Sequence, residues 1–217
     1  HLSIRRQRQM CIRDRYRIYR DAGVPAGAVN YVTGPGADFE EEFTVNPDVA
    51  GISFTGSRDV GMRLYRRFLT SQPYPKPVVI ELGSKNPTIV TSNADLDKAV
   101  EGIVRAAFGY NGQKCSAASR VYVHRDVRPR FLELLKARAE QVIVGDPRRR
   151  DVFVGPVIND AAVARFAKAI EETKNDGGSI LAGGRVLKEG KLARGYYVEP
   201  TIITGLPSNH RLFRDEL

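Results

Sequence analysis

Residues 52–83, ISFTGSRDVGMRLYRRFLTSQPYPKPVVIELG, decide the fold. Two short apolar segments, 52–54 and 78–80, flank residues 60–69, where apolar side chains recur with the spacing of one helix face. This strand–helix–strand order predicts a βαβ unit with two parallel strands. The same alternation continues downstream, so we predict an α/β fold built around a parallel sheet.

Both predicted strands of this unit run into turns that contain glycine. Residues 55–57 (TGS) follow the first strand and residues 81–83 (ELG) follow the second. Ligands of open parallel sheets bind at the carboxyl ends of the strands, so we expect the two turns to open onto one crevice. The first turn leads into a helix, whose N-terminus suits a phosphate group. It matches neither the dinucleotide fingerprint nor a P-loop, and a tight strand-to-helix connection explains its glycines equally well.

The remaining elements follow from periodicity and from turn residues. Residues 20–25 predict a helix end. A polar residue, Ser92 or Asn93, is expected to cap the helix that ends at Gly109, with acidic residues in its first turn. Further strands are predicted at 28–32, 87–90, 121–123, 179–181, 196–198 and 201–203, and further helices at 38–43, 128–142 and 159–175.

Cys115 is a candidate nucleophile. It lies in the polar, glycine-containing stretch FGYNGQKCSAAS (residues 108–119), and the chain has only two cysteines. Lys114 and a nearby helix start would favour the thiolate, which is the reactive form. Unpaired cysteines are also common as small buried apolar residues. The local sequence leaves both interpretations open.

Glu81 is a candidate general base. It follows three apolar residues at a predicted strand end and precedes Leu82 and Gly83. A carboxylate partly withdrawn from water there would accept a proton readily. A solvated or ion-paired carboxylate is the competing interpretation, and the sequence does not choose between them.

Composition excludes several classes of protein. The net charge is +9, but residues 1–20 hold seven arginines and one aspartate, so +6 of it lies in that segment and only +3 in the rest. This distribution does not favour nucleic-acid binding. No apolar run of about 18 residues could span a membrane. Two cysteines cannot form a disulfide framework, and no cluster has metal-ligand spacing.

The N-terminal segment, residues 1–15 (HLSIRRQRQMCIRDR), is arginine-rich and nearly free of acidic residues. It suits either a mitochondrial targeting peptide or a translated sequencing adapter. We favour the adapter, leave the segment out of the fold prediction and expect no function for Cys11. A working thiol favours a reducing compartment, which predicts the cytoplasm, or the mitochondrial matrix if the segment is a targeting peptide.

Several motifs in order resemble the aldehyde dehydrogenase superfamily. They are FTGS (54–57), ELG (81–83) and GQKC (112–115), with Glu216 near the end, together with AGAVN (26–30), GPV (155–157) and GYYVEPT (195–201). The resemblance covers residues 16–217. It implies part of a Rossmann-like cofactor domain, residues 16–83, followed by part of an α/β catalytic domain, residues 84–217.

The resemblance implies a role for each matching residue. Cys115 would attack an aldehyde, with its own N–H as half of an oxyanion hole, and Glu81 would activate the water that hydrolyses the thioester. The cofactor is expected to be NAD, with NADP as the alternative. Its pyrophosphate would lie at Gly56, Ser57 and Gly61, its nicotinamide at the backbone of Leu82, and its nicotinamide ribose at Glu216.

A narrower similarity concerns the substrate. Residues 112–120 (GQKCSAASR), with 99–104 (AVEGIV), are similar to the 1-pyrroline-5-carboxylate dehydrogenases, which oxidise L-glutamate γ-semialdehyde. Ser116 would then hold the amino-acid end of the substrate. One departure is residues 81–84 (ELGS), which are closer to the general-aldehyde pattern than to the Glu-Thr/Met-Gly-Gly of this subgroup.

Other functions compete with this one. They are oxidation of a different aldehyde, hydrolysis by Cys115 with His124 or His210, and a non-catalytic role. The abrupt end at residues 214–217 suggests truncation. We therefore expect a central fragment of a homo-oligomeric protein that is inactive alone and lacks the oxyanion asparagine and substrate-anchoring loop of the family.

Overall fold

The computed structural model describes residues 2–217, with side chains from residue 12 onward. His1 and the side chain of Cys11 lie outside this description. The chain divides into two compact units, residues 1–82 and 83–217. None of the described helices combines the length and the apolar character that a membrane span requires.

The first unit contains the predicted βαβ arrangement. Its elements are α1 (Leu2–Asp21), α2 (Gly36–Val45), β1 (Ile52–Thr55), α3 (Arg58–Ser71) and β2 (Val78–Glu81). Strands β1 and β2 pair in parallel, with Ile52 opposite Val78 and Thr55 opposite Glu81. The predicted strand–helix–strand order is confirmed, and both strands end at the predicted turns.

The start of the chain follows the prediction at one point and departs from it at another. Helix α1 ends at Asp21, and Gly23 takes a φ of +83°, a conformation that glycine adopts without steric cost at a helix end. The strand predicted at 28–32 is absent. The N–H of Ala28 instead donates to the carbonyl of Pro25 and closes a turn, so its backbone is satisfied locally.

Long-range polar contacts hold the first unit together. The guanidinium group of Arg63 in α3 donates to both carboxylate oxygens of Glu40 in α2, with N–O distances of 2.8–3.0 Å. Lys76 is buried, and its ammonium donates to the carbonyls of Pro47 and Val49. A buried ammonium requires such partners. Lys76 lies just before β2, and its two acceptors lie just before β1. The contact therefore holds the segments that lead into the two strands next to each other.

The second unit holds the rest of the fold. Its elements are β3 (Asn86–Val90), α4 (Leu96–Phe108), β4 (Ala118–Val123), α5 (Arg128–Glu140), α6 (Asp160–Asn175), β5 (Ser179–Ala182), β6 (Val186–Leu187), β7 (Tyr197–Val198) and β8 (Ile202–Thr204), with 3-10 turns at Gly109–Gly112, Gly190–Arg194 and Arg211–Phe213. Strands β3 and β4 pair in parallel and are connected by α4. The pairs β5–β8 and β6–β7 are antiparallel, so parallel pairing does not extend to the last four strands.

Helices α4 and α5 form the core of the second unit. Val100, Ile103 and Val104 line the buried face of α4, and α5 contributes Phe131 and Leu135. Asp95 caps α4, because its carboxylate accepts from the N–H of Lys98. The predicted caps, Ser92 and Asn93, do not take this position: the side chain of Asn93 accepts instead from the hydroxyl of Thr91.

Glu101 links these two helices and predicts a pH dependence. It accepts from Arg138 of α5 at 2.7 Å and from Arg105 of α4, and these guanidinium groups lower the pKa of Glu101 to about 2. A folded-state pKa below the unfolded value near 4.3 contributes stability above that value and loses it as pH falls toward 2. We expect Glu101→Gln to lower the thermal midpoint at pH 7, with the difference from wild type shrinking between about pH 5 and pH 2.

The control for this experiment is Glu171→Gln, which alters an exposed glutamate of α6. Thermal unfolding followed by circular dichroism across this pH range measures both variants. A difference for Glu101→Gln that stays constant with pH would contradict the ion-pair explanation.

Candidate active site

The turn after β1 brings four predicted residues together within the first unit. The N–H of Gly56 donates to the carbonyl of Glu81 at 3.1 Å, which joins the two strand ends. A Cβ on Gly56 would lie 2.5 Å from the ring of Phe54, and one on Gly61 would lie 2.3 Å from Leu82. Glycine at position 61 therefore lets α3 approach the end of β2 closely, and glycine at position 56 leaves room for the ring of Phe54.

The N-terminus of α3 fits the anionic part of a dinucleotide. Ser57 precedes the helix in an extended conformation, with φ −67° and ψ 148°, and its hydroxyl makes no capping hydrogen bond. The first N–H groups of a helix have no partner inside the helix, and the helix dipole places partial positive charge there. Ser57 and the N–H groups after it thus offer donors to a pyrophosphate.

Glu81 is the last residue of β2. Its backbone is fixed by the pairing with Thr55 and by the hydrogen bond from Gly56. Its side chain is exposed, which differs from the partial desolvation considered above, and within the described part of the chain it has no hydrogen bond or ion pair. The strand end therefore presents an exposed carboxylate that has no partner among the described residues.

Cys115 lies at the centre of a tight turn in the second unit. The N–H of Ala117 donates to the carbonyl of Lys114 at 3.1 Å, which places Cys115 and Ser116 at the two central positions. The thiol is free and exposed, so Cys115 is not the small buried apolar residue of the competing interpretation. Strand β4 follows at Ala118, and the expected helix start beside the thiol is absent.

The backbone of this turn leaves two donors unused. Among the described residues, the N–H groups of Cys115 and Ser116 donate to no acceptor. Adjacent free N–H groups beside a nucleophile are suited to bind a negative oxygen. The turn thus places an exposed thiol next to a free N–H of the same residue.

The approach to the cysteine turn is strained and is held by two side chains. Tyr110 and Asn111 both have left-handed backbones, with φ values of 58° and 60°, which cost roughly 1–2 kcal/mol per residue. The amide of Asn111 donates to the carbonyl of Gly155 at 3.0 Å, and the side-chain oxygen of Gln113 accepts from the N–H of Ile158 at 3.0 Å. Residues 155–158 therefore support the strained segment from one side.

Asn86, the first residue of β3, contacts the turn directly. Its Nδ2 donates to the carbonyl of Cys115 at 2.6 Å and to the carbonyl of Ala117 at 3.1 Å. Its Oδ1 accepts from the hydroxyl of Ser84 at 2.7 Å. One amide thus connects the cysteine turn to the strand that follows residues 81–84.

Glu216 lies against the start of the second unit. A Cβ on Gly83 would be 1.5 Å from Oε2 of Glu216, so a larger residue there would displace the carboxylate. Lys85, close by, is half-buried, and burial together with the neighbouring Arg120 lowers the pKa of the lysine. The fold therefore brings the carboxylate of Glu216 to Gly83, at the start of the second unit.

Comparison with known proteins decides the family. The model of the "Aldehyde dehydrogenase family" matches residues 8–217, beginning inside the arginine-rich N-terminal segment. The chain belongs to the aldehyde dehydrogenase family. The α/β architecture predicted from sequence is thereby confirmed as the fold of this family.

Relatives within the family are similar over nearly all of the chain. One is 1-pyrroline-5-carboxylate dehydrogenase 1 of Halalkalibacterium halodurans, 40% identical over 203 residues, which are 92% of this chain and 38% of the relative. A Thermus 1-pyrroline-5-carboxylate dehydrogenase crystallised with bound NAD has a TM-score of 0.84 and 35% identity, covering 93% of this chain and 38% of that one. An E. coli NADP-dependent enzyme has a TM-score of 0.82 and 36% identity, covering 91% and 40%. This chain thus spans about two-fifths of the relatives' length.

The two histidines that the structure describes have other partners. His124 accepts from the N–H of Asp126 through Nδ1, and His210 accepts from the N–H of Leu212 and bonds Asp176 through Nε2. Neither contacts Cys115 in the described structure. This arrangement does not support a Cys–His hydrolase. Among the described residues, no group of three or more His, Cys, Asp or Glu could hold a metal ion.

Sequence reasoning missed three side chains that build the site: Asn86, Asn111 and Gln113. Each is a carboxamide next to a glycine or a proline and bonds a backbone group far away in the chain. A carboxamide in a glycine-containing loop was the available sign that such a side chain supports the site. Its hydrogen-bond partner depends on tertiary structure, so the sequence does not identify it. Of the predicted residues, the first unit brings together Gly56, Ser57, Gly61, Glu81 and Leu82, and the second contains Cys115, Ser116 and Glu216.

Proposed function

We propose that this chain carries the catalytic residues of an NAD-dependent aldehyde dehydrogenase that oxidises L-glutamate γ-semialdehyde to L-glutamate. The observation that carries the proposal is the Cys115 turn, where an exposed thiol has its own N–H free. Family membership supplies the class of reaction, and similarity to enzymes named 1-pyrroline-5-carboxylate dehydrogenase supports the substrate.

The first step is covalent capture of the aldehyde. The Cys115 thiolate attacks the carbonyl carbon, forms a C–S bond and leaves the carbonyl electrons on the oxygen. The resulting oxyanion accepts a hydrogen bond from the N–H of Cys115. Because that N–H has no other acceptor among the described residues, it needs no rearrangement before it can bind the oxyanion.

The resemblance to the family assigns the contacts of the cofactor residue by residue. We assign its pyrophosphate to Gly56, Ser57 and the start of α3, where Gly61 allows close packing, its nicotinamide to the backbone of Leu82, and its nicotinamide ribose to Glu216. A bound nicotinamide dinucleotide supplies the hydride acceptor. Loss of hydride from the thiohemiacetal leaves a thioester on Cys115. Similar structures include an NAD complex and an enzyme named as NADP-dependent, so the assay compares both cofactors.

Hydrolysis of the thioester completes the cycle. Glu81 takes a proton from a water molecule, the water oxygen attacks the thioester carbon, and collapse of the adduct breaks the C–S bond. The products are the carboxylic acid and free Cys115. The exposed, unpaired carboxylate of Glu81 supports this role. Ser116, exposed beside Cys115, would hold the amino-acid end of the substrate.

The setting follows from the chemistry. A reducing compartment suits a working thiol better than an oxidising one, so we propose the cytoplasm. The substrate is a small aldehyde, and we propose that the complete protein assembles from identical subunits.

Steady-state kinetics test the proposal. NADH formation by the complete protein that contains this chain is followed with L-glutamate γ-semialdehyde, with succinate semialdehyde, which lacks the amino group, and with acetaldehyde. We expect kcat/KM to favour the first by at least about tenfold over the others, and NAD over NADP. Preference for another aldehyde would overturn the substrate, and no NADH or NADPH from any of the three would overturn the reaction.

A further inference from the structure

We infer that Asn86, oriented by Ser84, is the positioning residue of the Cys115 turn. The inference rests on the proposed function, because it concerns how the nucleophile of that reaction is held. Its basis is a short chain of hydrogen bonds: Ser84 Oγ to Asn86 Oδ1 at 2.7 Å, and Asn86 Nδ2 to the carbonyls of Cys115 at 2.6 Å and Ala117 at 3.1 Å.

The turn has few other attachments. Within it, the N–H of Ala117 bonds the carbonyl of Lys114, but Cys115 and Ser116 are exposed and donate no backbone hydrogen bond within the described chain. The bond from Asn86 is the one hydrogen bond of the Cys115 backbone among the described residues. Without it, the two central residues of the turn would be tied only to their neighbours.

Asn86 connects the turn to a rigid element. It begins β3, which pairs with β4 along its length and ends at Val90, a residue of the buried core of α4 and α5. A carboxamide that bonds both the Cys115 and the Ala117 carbonyl fixes two peptide planes of the turn at once. The N–H of Cys115 shares its peptide plane with the carbonyl of Lys114, which the N–H of Ala117 holds. With the peptide planes on both sides of the Cys115 Cα held, the conformation of Cys115 is set, and with it the direction of the N–H that would bind the oxyanion.

Ser84 determines which way the carboxamide faces. A carboxamide has a donor end and an acceptor end, and only the donor end can bond two carbonyl oxygens. The hydroxyl of Ser84 binds the acceptor end and so favours this orientation. Ser84 stands where the 1-pyrroline-5-carboxylate dehydrogenase pattern has its second glycine, so this orienting bond comes from a side chain that the pattern lacks.

The test compares Asn86→Ala and Ser84→Ala with a matched control, Asn93→Ala. Asn93 accepts from a Thr91 hydroxyl at 2.7 Å, a bond of the same type and spacing, but it follows the other end of β3. Its side chain makes no other hydrogen bond within the described residues. The control and Ser84→Ala therefore each lose one hydroxyl–carboxamide hydrogen bond. Only Asn86→Ala also removes the side chain that contacts the cysteine turn.

Two reactions of Cys115 separate positioning from general damage. Acylation by p-nitrophenyl acetate creates an oxyanion and needs no cofactor, whereas alkylation by iodoacetamide creates none. We expect Asn86→Ala to slow acylation by about 10- to 100-fold and alkylation by less than about threefold. Ser84→Ala should slow acylation by a smaller factor. Mass spectrometry of the Cys115 peptide follows both reactions and distinguishes them from labelling of Cys11.

Each outcome has a defined meaning. If wild-type Cys115 is not acylated, the proposed function fails, independently of Asn86. If wild type is acylated and Asn86→Ala matches Asn93→Ala, the inference is wrong. Equal losses in acylation and alkylation, together with a lower thermal midpoint, would show that Asn86 stabilises the fold without positioning the nucleophile. Ser84→Ala, which keeps Asn86, covers the case in which Asn86→Ala does not fold.

Discussion

Replacing Cys115 by serine in the complete protein should lower turnover by a factor of at least about 10³. The serine hydroxyl keeps the shape of the side chain but stays protonated at neutral pH, and among the described residues no histidine contacts position 115 to take its proton. Every later step requires the bond that this residue forms, so no alternative route is expected. NADH formation with saturating aldehyde measures the loss.

The matched control is Cys11→Ser, which changes the other cysteine of the chain. It should leave turnover within about twofold of wild type, since none of the predicted site residues lies in the N-terminal segment that contains Cys11. The assignment of the nucleophile is wrong if Cys115→Ser retains a tenth or more of wild-type turnover. It is also wrong if Cys11→Ser produces the larger loss.

The sequence predicted the βαβ units because their patterns are local. Apolar spacing of 3.6 residues marks α3, and short apolar runs mark β1 and β2, so that the turns at both strand ends follow directly. The strand predicted at 28–32 was wrong. A short apolar run is typical of a strand, but a strand also needs a partner to pair with, and no strand forms there. The turn that forms there is closed by the Ala28–Pro25 hydrogen bond.

The site was predictable to the extent that its residues are unusual where they stand. Cys115 and Glu81 are reactive groups in glycine-containing turns, which is unexpected for structural residues. The contacts that hold Cys115 are different, because the bond from Asn86 joins residues on separate elements. Likewise, the approach of Glu216 to Gly83 depends on the whole path of the second unit. Such contacts follow from tertiary structure and leave no periodic pattern.

Replacing Glu81 by glutamine should stop the reaction after hydride transfer. Glutamine has nearly the same shape, so the backbone pairing with Thr55 and Gly56 is retained, but a carboxamide cannot take a proton from water. Formation of the thioester does not need this base. We therefore expect a burst of about one NADH per active site, followed by a steady state slower than wild type by about 10²- to 10⁴-fold.

Rapid-mixing kinetics measure the burst, and mass spectrometry of the quenched protein should find the acyl group on the Cys115 peptide. Glu189→Gln, an exposed glutamate beside a 3-10 turn, is the control and should show wild-type turnover. If Glu81 only supported the fold, the burst and the steady state would fall together. The Cys115 variant should show no burst at all, so the two variants place the thiol before hydride transfer and the carboxylate after it.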